Sequence, residues 1–343
     1  MNDFNIAVLG AGSWGTALSM VLCSKGHRVN LWTRNEEQYR DMVRTHKNNK
    51  YLPDVNLPAN LNLHIDLRKS VLNSSAILIS VPSQSVREVL QGIKPYLKGD
   101  EIIINSSKGL EKNTYLTISQ VVNGELPNNR FAVLSGPSHA EEVCQNMPTT
   151  VVVASKRKNT AELVQDLFIT PSFRVYTNPD VIGVELGGAL KNVIAFGAGI
   201  ADGLGFGDNA KAALITRGIS EIARLGKAMG ANKSTFAGLS GIGDLIVTCT
   251  SMHSRNRKAG ILIGKGKGLD EVLKEIGMVV EGITTTKVAY ELAKKHNVEM
   301  PITGEIYNVI YNKGDAKEAV TNLMTRSRKH EIEEIVDSTS MDW

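Results

Sequence analysis

Three observations predict a two-part fold, an α/β half followed by an all-α half. A glycine-punctuated turn joins an apolar strand pattern to a helical one within residues 4–25. Short apolar strand patterns then recur as far as Phe173-Arg-Val-Tyr176, and beyond Asn178-Pro179 only helical periodicity remains. The 343 residues suit two domains, and 42% hydrophobic with 22% charged residues is an ordinary globular composition. A net charge of +4, spread along the chain, favours small anions over nucleic acid. Cys23, Cys144 and Cys249 lack metal spacing and fit a reducing compartment. The seven histidines form no HExxH pair, so no protein-bound metal is expected. The N-terminal apolar stretch is broken by Gly10, Gly12 and Gly15 and starts too early for a signal peptide. No apolar run of roughly 18 residues is read, so no membrane span is expected.

Phe4-Asn-Ile-Ala-Val-Leu9 reads as a buried strand running into Gly10-Ala-Gly12-Ser13-Trp14-Gly15. A helix over Thr16–Lys25, capped by Gly26, and a strand over Arg28–Thr33 follow. A GxGxxG set between strand and helix reads as the phosphate-binding turn of a Rossmann-type dinucleotide-binding domain, the other reading being a glycine-rich turn that holds no nucleotide. Gly10 and Gly12 permit the tight turn and close approach to a pyrophosphate, Gly15 lets the helix pack on the strand, and the helix N-terminus offers free N–H groups. Nineteen residues past Gly15, where an NAD-specific site carries a carboxylate, stands Arg34. Arg34 can pair with a 2′-phosphate, which favours NADP over NAD or admits both; the other reading is stacking on adenine or exposure to solvent.

Ala76–Val81 is the next strand, with Ser83 expected to cap a helix over Gln84–Ile93. Glu101–Asn105 follows, and Ser106-Ser-Lys108-Gly109 leaves its carboxyl end, where ligands bind in open parallel sheets. Phe131–Leu134 delivers Ser135-Gly136-Pro-Ser138-His139 to the same edge. His139 has no adjacent orienting group and is read as a helix-terminal residue. Thr149–Ala154 and Phe173–Tyr176 are later strands around a helix near 160–168.

Helical patterns then cover 180–200, 209–229, 255–264, 270–276, 284–296, 302–311 and 316–325. The expected domains are 1–178 for the dinucleotide, 179–330 for substrate and catalysis, and a charged tail over 331–343. Lys191 is the only charge between Glu185 and Asp202, and its helical-face neighbours Gly187, Gly188, Ala195 and Ala198 are all small. Such a face suggests open space for a ligand, with desolvation lowering the lysine pKa; the alternative is a lysine that snorkels to solvent. Asp244 sits among glycines in Ser240-Gly-Ile-Gly-Asp244, either as a site carboxylate or as a helix N-cap. Ser254-Arg255-Asn256 opens a helix, an arrangement suited to a phosphate, or simply a capped helix with a surface arginine.

Gly10–Gly15, Ser107-Lys108-Gly-Leu-Glu111, Leu134-Ser-Gly-Pro-Ser138, Glu185-Leu-Gly-Gly-Ala-Leu-Lys-Asn192, Gly241-Ile-Gly-Asp244-Leu, Ser254-Arg-Asn256 and Val279-Val-Glu-Gly282 closely resemble, in order, the motifs of the bacterial-type NAD(P)-dependent glycerol-3-phosphate dehydrogenases. The likeness spans nearly the whole chain. It implies that Ser13, Trp14, Arg34, Lys108, Ala140, Arg255, Val279 and Glu281 touch the dinucleotide. It implies that Lys108, Gly136, Ser138, Lys191, Asp244, Ser254, Arg255 and Asn256 touch the substrate, with Lys191 transferring the proton. A cytoplasmic enzyme supplying the glycerol phosphate backbone of phospholipids follows from the same resemblance.

The expected reaction interconverts dihydroxyacetone phosphate and sn-glycerol 3-phosphate, with Lys191, Lys108 and Asp244 catalytic and with a small phosphorylated three-carbon substrate as partner. Neither a nucleic-acid partner nor a membrane span is expected; a homodimer is admitted. Two rivals stand beside it. A 3-hydroxyacid dehydrogenase would need a carboxylate or thioester site where Ser254, Arg255 and Asn256 sit, and an NADP-binding redox sensor would not need Lys191.

Overall fold

The computed structural model describes residues 4–328, 330 and 331, so the expected tail beyond Glu331 lies outside the described residues. Ten strands are present among the described residues: β1 (Asn5–Leu9), β2 (Arg28–Trp32), β3 (Lys47–Asn48), β4 (Leu52–Asn56), β5 (Leu61–His64), β6 (Ala76–Ile79), β7 (Ile102–Asn105), β8 (Arg130–Ser135), β9 (Thr149–Ala154) and β10 (Phe173–Asn178). Eight form one sheet in the order β10-β9-β8-β7-β6-β1-β2-β5, and β3 and β4 make a separate antiparallel pair. Every neighbouring pair in the large sheet is parallel except β8 with β9.

Burial of both faces explains the apolar strand runs. Ile6, Val8, Leu78 and Ile104 point into one core, while Ala7, Leu9, Ile77 and Ile103 point into another on the opposite face. From β1 the chain moves outward to β2 and β5, then crosses back to β6, β7 and β8 on the other side. The crevice at that reversal, outside the carboxyl ends of the strands, is where open sheets bind ligands.

Several elements differ from the expectation. The first helix spans Ser13–Ser24, three residues earlier than its apolar pattern, because the glycine turn itself enters the helix. Ser83 does not cap a helix. It begins a short 3-10 turn, Ser83–Ser85, ahead of the helix Val86–Ile93, and its side chain bonds elsewhere. The helices Glu36–Thr45 and Ile118–Glu125 have no counterpart in the expectation, and Asp244–Thr250 enters it only through the N-cap reading of Asp244.

The last strand ends at Asn178, and the 23-residue helix Val181–Gly203 begins after the Asp180 side chain caps it at the Gly183 N–H. This helix is long and apolar enough to cross a membrane by length and composition, although Lys191 and Asn192 interrupt its apolar residues. Its most apolar window, of mean hydropathy 1.4, is 89% buried inside the protein. Its burial comes from neighbouring helices packed close. Against it lies the helix Arg255–Gly264, with glycines on both sides of the seam. A Cβ on Gly199 would sit 2.1 Å from the Arg257 carbonyl oxygen, and one on Gly260 would sit 2.1 Å from that of Phe196. The two backbones meet almost directly. Arg257 then closes the end of the seam on Asp202, with Nε 2.7 Å from Oδ2.

Candidate active site

Sequence-predicted segments from both halves of the chain converge on the carboxyl edge of the sheet. At β1, Gly10 has φ +117°, and a Cβ there would lie 2.5 Å from the Ser80 carbonyl oxygen. A Cβ on Gly15 would lie 2.0 Å from the Gly10 carbonyl oxygen, so helix and strand require glycine at both places. Gly12 differs: nothing lies within 4 Å of its Cβ position. That opening fronts a helix whose N-terminus has no side-chain cap, leaving the Ser13 and Trp14 end free for an anion. The half-buried Trp14 also holds an indole Nε1 with no partner among the described residues. These residues fit a dinucleotide pyrophosphate. Arg34 lies exposed two residues past β2, and Gly10 donates to the Trp32 carbonyl at 3.0 Å, so the arginine flanks the glycine turn.

Past β7, Lys108 Nζ donates to the Gly136 carbonyl at 2.9 Å and to Asp244 Oδ2 at 2.7 Å. The Ser138 hydroxyl donates to the same Gly136 carbonyl at 2.9 Å. Asp244, 1% exposed, accepts with its other oxygen from Lys191 Nζ. Lys191 also donates to Thr248 Oγ1 at 2.8 Å, and Thr248 donates in turn to the Asp244 carbonyl. One carboxylate thus joins two ammonium groups. Each ammonium has three donors, of which these bonds use two.

The open space expected beside Lys191 is absent. Lys191 is 6% exposed, so it does not snorkel, and its glycine neighbours serve protein contacts. A Cβ on Gly187 would lie 2.5 Å from the Ser240 carbonyl oxygen, and one on Gly188 would lie 2.6 Å from Ser135 Oγ. The small face lets the Ser240–Asp244 loop and the end of β8 press against the helix, which carries Asp244 to the lysine. Burial pulls the Lys191 pKa down to about 7; Asp244 opposes the fall and the Lys108 charge adds to it. Asp244 is the first residue of its helix rather than the cap, a position taken by Gly243.

Ser254 caps its helix, accepting from the Arg257 N–H at 3.2 Å, and Arg255 is exposed with Nη1 on the Val279 carbonyl at 3.0 Å. Asn256 is buried and its amide is committed: Nδ2 donates to Asn192 Oδ1 at 2.9 Å, and Oδ1 accepts from the Gly282 N–H at 2.8 Å. Next to Gly282, the Glu281 carboxylate accepts from the Ser83 N–H at 3.1 Å and from its hydroxyl at 2.8 Å. A Cβ on Gly109, beside Lys108, would meet Ser83 Oγ at 2.5 Å. Through chain neighbours these contacts close a ring: Lys108–Gly109, Ser83, Glu281–Gly282, Asn256, Asn192–Lys191, Asp244 and back to Lys108. Ala140 is buried in the sheet core at the start of a short helix that follows Ser138 and His139. Sequence reasoning missed Thr248, whose i,i+4 spacing from Asp244 was its only signal, and the structural duty of Ser83.

A glycine turn with free N–H groups, beside a buried lysine–carboxylate–lysine cluster, defines a pyridine-nucleotide-dependent oxidoreductase in class. The comparisons narrow it. Residues 5–161 match the model of the NAD-dependent glycerol-3-phosphate dehydrogenase N-terminus, and residues 180–321 that of its C-terminus. A glycerol-3-phosphate dehydrogenase (NAD(P)+) of Bacillus cereus strain AH187 is 55% identical over 335 residues, 97% of this chain and 98% of the relative. One from Desulfitobacterium hafniense strain Y51 is 57% identical over 331 residues, covering 96% and 94%. The crystal structure of glycerol-3-phosphate dehydrogenase from Coxiella burnetii is 41% identical with a TM-score of 0.92, covering 94% of this chain and 99% of that one. The chain belongs to the NAD-dependent glycerol-3-phosphate dehydrogenase family.

Proposed function

We propose that the protein interconverts dihydroxyacetone phosphate and sn-glycerol 3-phosphate, using NADPH or NADH. The observation that carries this reading is the Lys108–Asp244–Lys191 cluster at the sheet edge that also bears the glycine turn. A dinucleotide held at the Gly10–Gly15 turn would supply the hydride for the carbonyl carbon. Lys191, with its pKa near 7, gives a proton to the developing alkoxide and takes it back in the reverse direction. Lys108 stabilises the same oxygen electrostatically, and Asp244 fixes both ammonium groups. The cluster carries a net charge of +1 when both lysines are protonated, which suits an anionic ketone.

The substrate phosphate is assigned to the first turn of the Arg255–Gly264 helix. The Asn256 amide is engaged in the protein and the Arg257 N–H is taken by Ser254 Oγ, so the Arg255 and Asn256 N–H groups, the Arg255 guanidinium and the Ser254 O–H are the donors of that turn that remain. Gly136 and Ser138 complete the substrate set. Gly10, Gly12, Ser13, Trp14, Gly15, Arg34, Lys108, Ala140, Arg255, Val279 and Glu281 form the cofactor set, and Arg34 favours NADP. In this division residues 1–178 bind the dinucleotide and 179–330 carry substrate and catalysis. A cytoplasmic homodimer that feeds phospholipid synthesis with glycerol phosphate belongs to the same proposal. An assay of NADPH and NADH oxidation against dihydroxyacetone phosphate, unphosphorylated dihydroxyacetone and other phosphorylated ketones tests it. Strong preference for dihydroxyacetone phosphate is expected; equal rates with the unphosphorylated ketone would overturn it.

A further inference from the structure

Two buried carboxylates in the helical part of the chain do the same chemistry and differ in where they reach. Glu221, on the helix Asp208–Ala228, accepts from the Ile302 N–H at 2.6 Å and the Thr303 N–H at 3.2 Å, at the start of the helix Pro301–Tyr311. Both its partners lie among the C-terminal helices. Glu185 lies on the Lys191 helix and reaches the sheet-bearing part instead. Its Oε1 accepts from the Ser119 N–H at 2.7 Å and its Oε2 from the Ser119 hydroxyl. Ser119 stands in the first turn of Ile118–Glu125, where Thr117 and Gln120 already form a capping box. That helix packs on β7 and β8, the strands that lead into Lys108 and Gly136.

We propose that Glu185 is a positioning residue: by pinning the Lys191 helix to the layer that carries Lys108 and Gly136, it fixes the Lys191 ammonium relative to the substrate carbonyl and the dinucleotide. Lys191 lies six positions after Glu185 on one continuous helix, about 9 Å along the axis, so a displacement at one is carried to the other. Burying a carboxylate is costly, and burial pushes the Glu185 pKa up to about 7 even against the Ser119 donors. Glutamine at this position offers one acceptor oxygen where the carboxylate offers two, so one of the two Ser119 donors loses its partner and faces an NH2 group instead.

The inference rests on the reaction assigned above, and its test separates the two. Glu185→Gln and Glu221→Gln are made in the full chain and measured at one pH for NADPH dissociation constant, kcat, KM and the isotope effect on kcat with NADPH deuterated at its transferable position. In Glu185→Gln, kcat should fall about tenfold while the NADPH dissociation constant and KM stay within about twofold, because misplacement of reacting groups costs rate before affinity. Its isotope effect should rise as chemistry becomes limiting. Glu221→Gln should keep the wild-type kcat and isotope effect whatever its melting temperature. Wild-type kcat in Glu185→Gln, or an equal loss in Glu221→Gln, would overturn the proposal. Should Glu185→Gln fail to fold, Ser119→Ala removes one bond from the opposite side and must lower kcat with unchanged KM; wild-type kcat there overturns it too. Absence of dihydroxyacetone phosphate turnover in the wild type would sink the reaction and leave the anchor to amide hydrogen exchange. Residues 118–125 must then exchange faster in Glu185→Gln than in Glu221→Gln, and equal exchange overturns the anchor.

Discussion

Lys191 is held between opposing electrostatic demands, and its pH behaviour follows from their balance. Burial lowers its pKa, Asp244 raises it, and Lys108 lowers it, leaving it at about 7. As a proton donor it must be charged, so kcat/KM for ketone reduction should fall as pH rises through about 7. Alcohol oxidation needs the neutral amine and should rise over the same interval. Lys108→Met removes the neighbouring positive charge, so both limbs should move to higher pH; pH profiles that stay in place would remove Lys108 from the electrostatics of the site. Lys191→Ala should lower kcat by roughly 10²–10⁴-fold with NADPH binding intact, the usual worth of general acid–base assistance. Near-wild-type turnover would end its role as the proton carrier. Arg34→Ala should weaken NADPH more than NADH in fluorescence titrations, since only NADPH carries the 2′-phosphate that a guanidinium pairs with; equal losses would place Arg34 on the adenine.

At the level of elements, glycines decide how close the working parts come. The seam between Val181–Gly203 and Arg255–Gly264 brings Asn192 within reach of Asn256, and so ties the proposed phosphate turn to the residue after Lys191. Gly260→Ala puts a methyl group 2.1 Å from a backbone oxygen, an overlap that no side-chain rotation relieves. It should cost about 1–3 kcal/mol of stability by urea denaturation, as overpacking typically does, with KM for the phosphorylated ketone raised alongside. A fully stable variant with unchanged KM would mean the seam has slack. The same seam marks the limit of legibility in the sequence. Helical periodicity located both helices, and the strand–glycine–helix pattern located the dinucleotide turn, because those signals are local. The small residues around Lys191 were equally visible, but composition cannot tell a ligand cavity from backbone contact, and here contact won. The helix Ile118–Glu125 escaped notice although Thr117 and Gln120 carry a capping box, since its apolar run is short. Asp244 was singled out, yet its bond to Lys191 spans 53 residues and has no local trace.

Across the whole molecule, Glu185 and Glu281 reach from the C-terminal helices to Ser119 and Ser83 beside the sheet, while Glu221 works among the helices alone. Burial raises the pKa of all three. A carboxyl whose folded pKa lies above its unfolded value binds more protons in the folded state, so its contribution to stability is full in acid and shrinks as pH rises. Glu221 moves from an ordinary 4.5 to about 7, which sets the window. Glutamine at 221 does not titrate. The difference in unfolding free energy between wild type and Glu221→Gln should therefore decline as pH rises from about 4.5 to about 7 and level off beyond. Pairs such as Arg87 with Glu111, whose carboxyl pKa is lowered chiefly by the Arg87 hydrogen bonds, act in the opposite direction but cancel between the two proteins. Urea midpoints at half-unit intervals from pH 4.5 to 8 read the difference directly. A difference that instead grows with pH would mean that the backbone donors of Ile302 and Thr303 outweigh burial, and that Glu221 is held as a carboxylate at neutral pH.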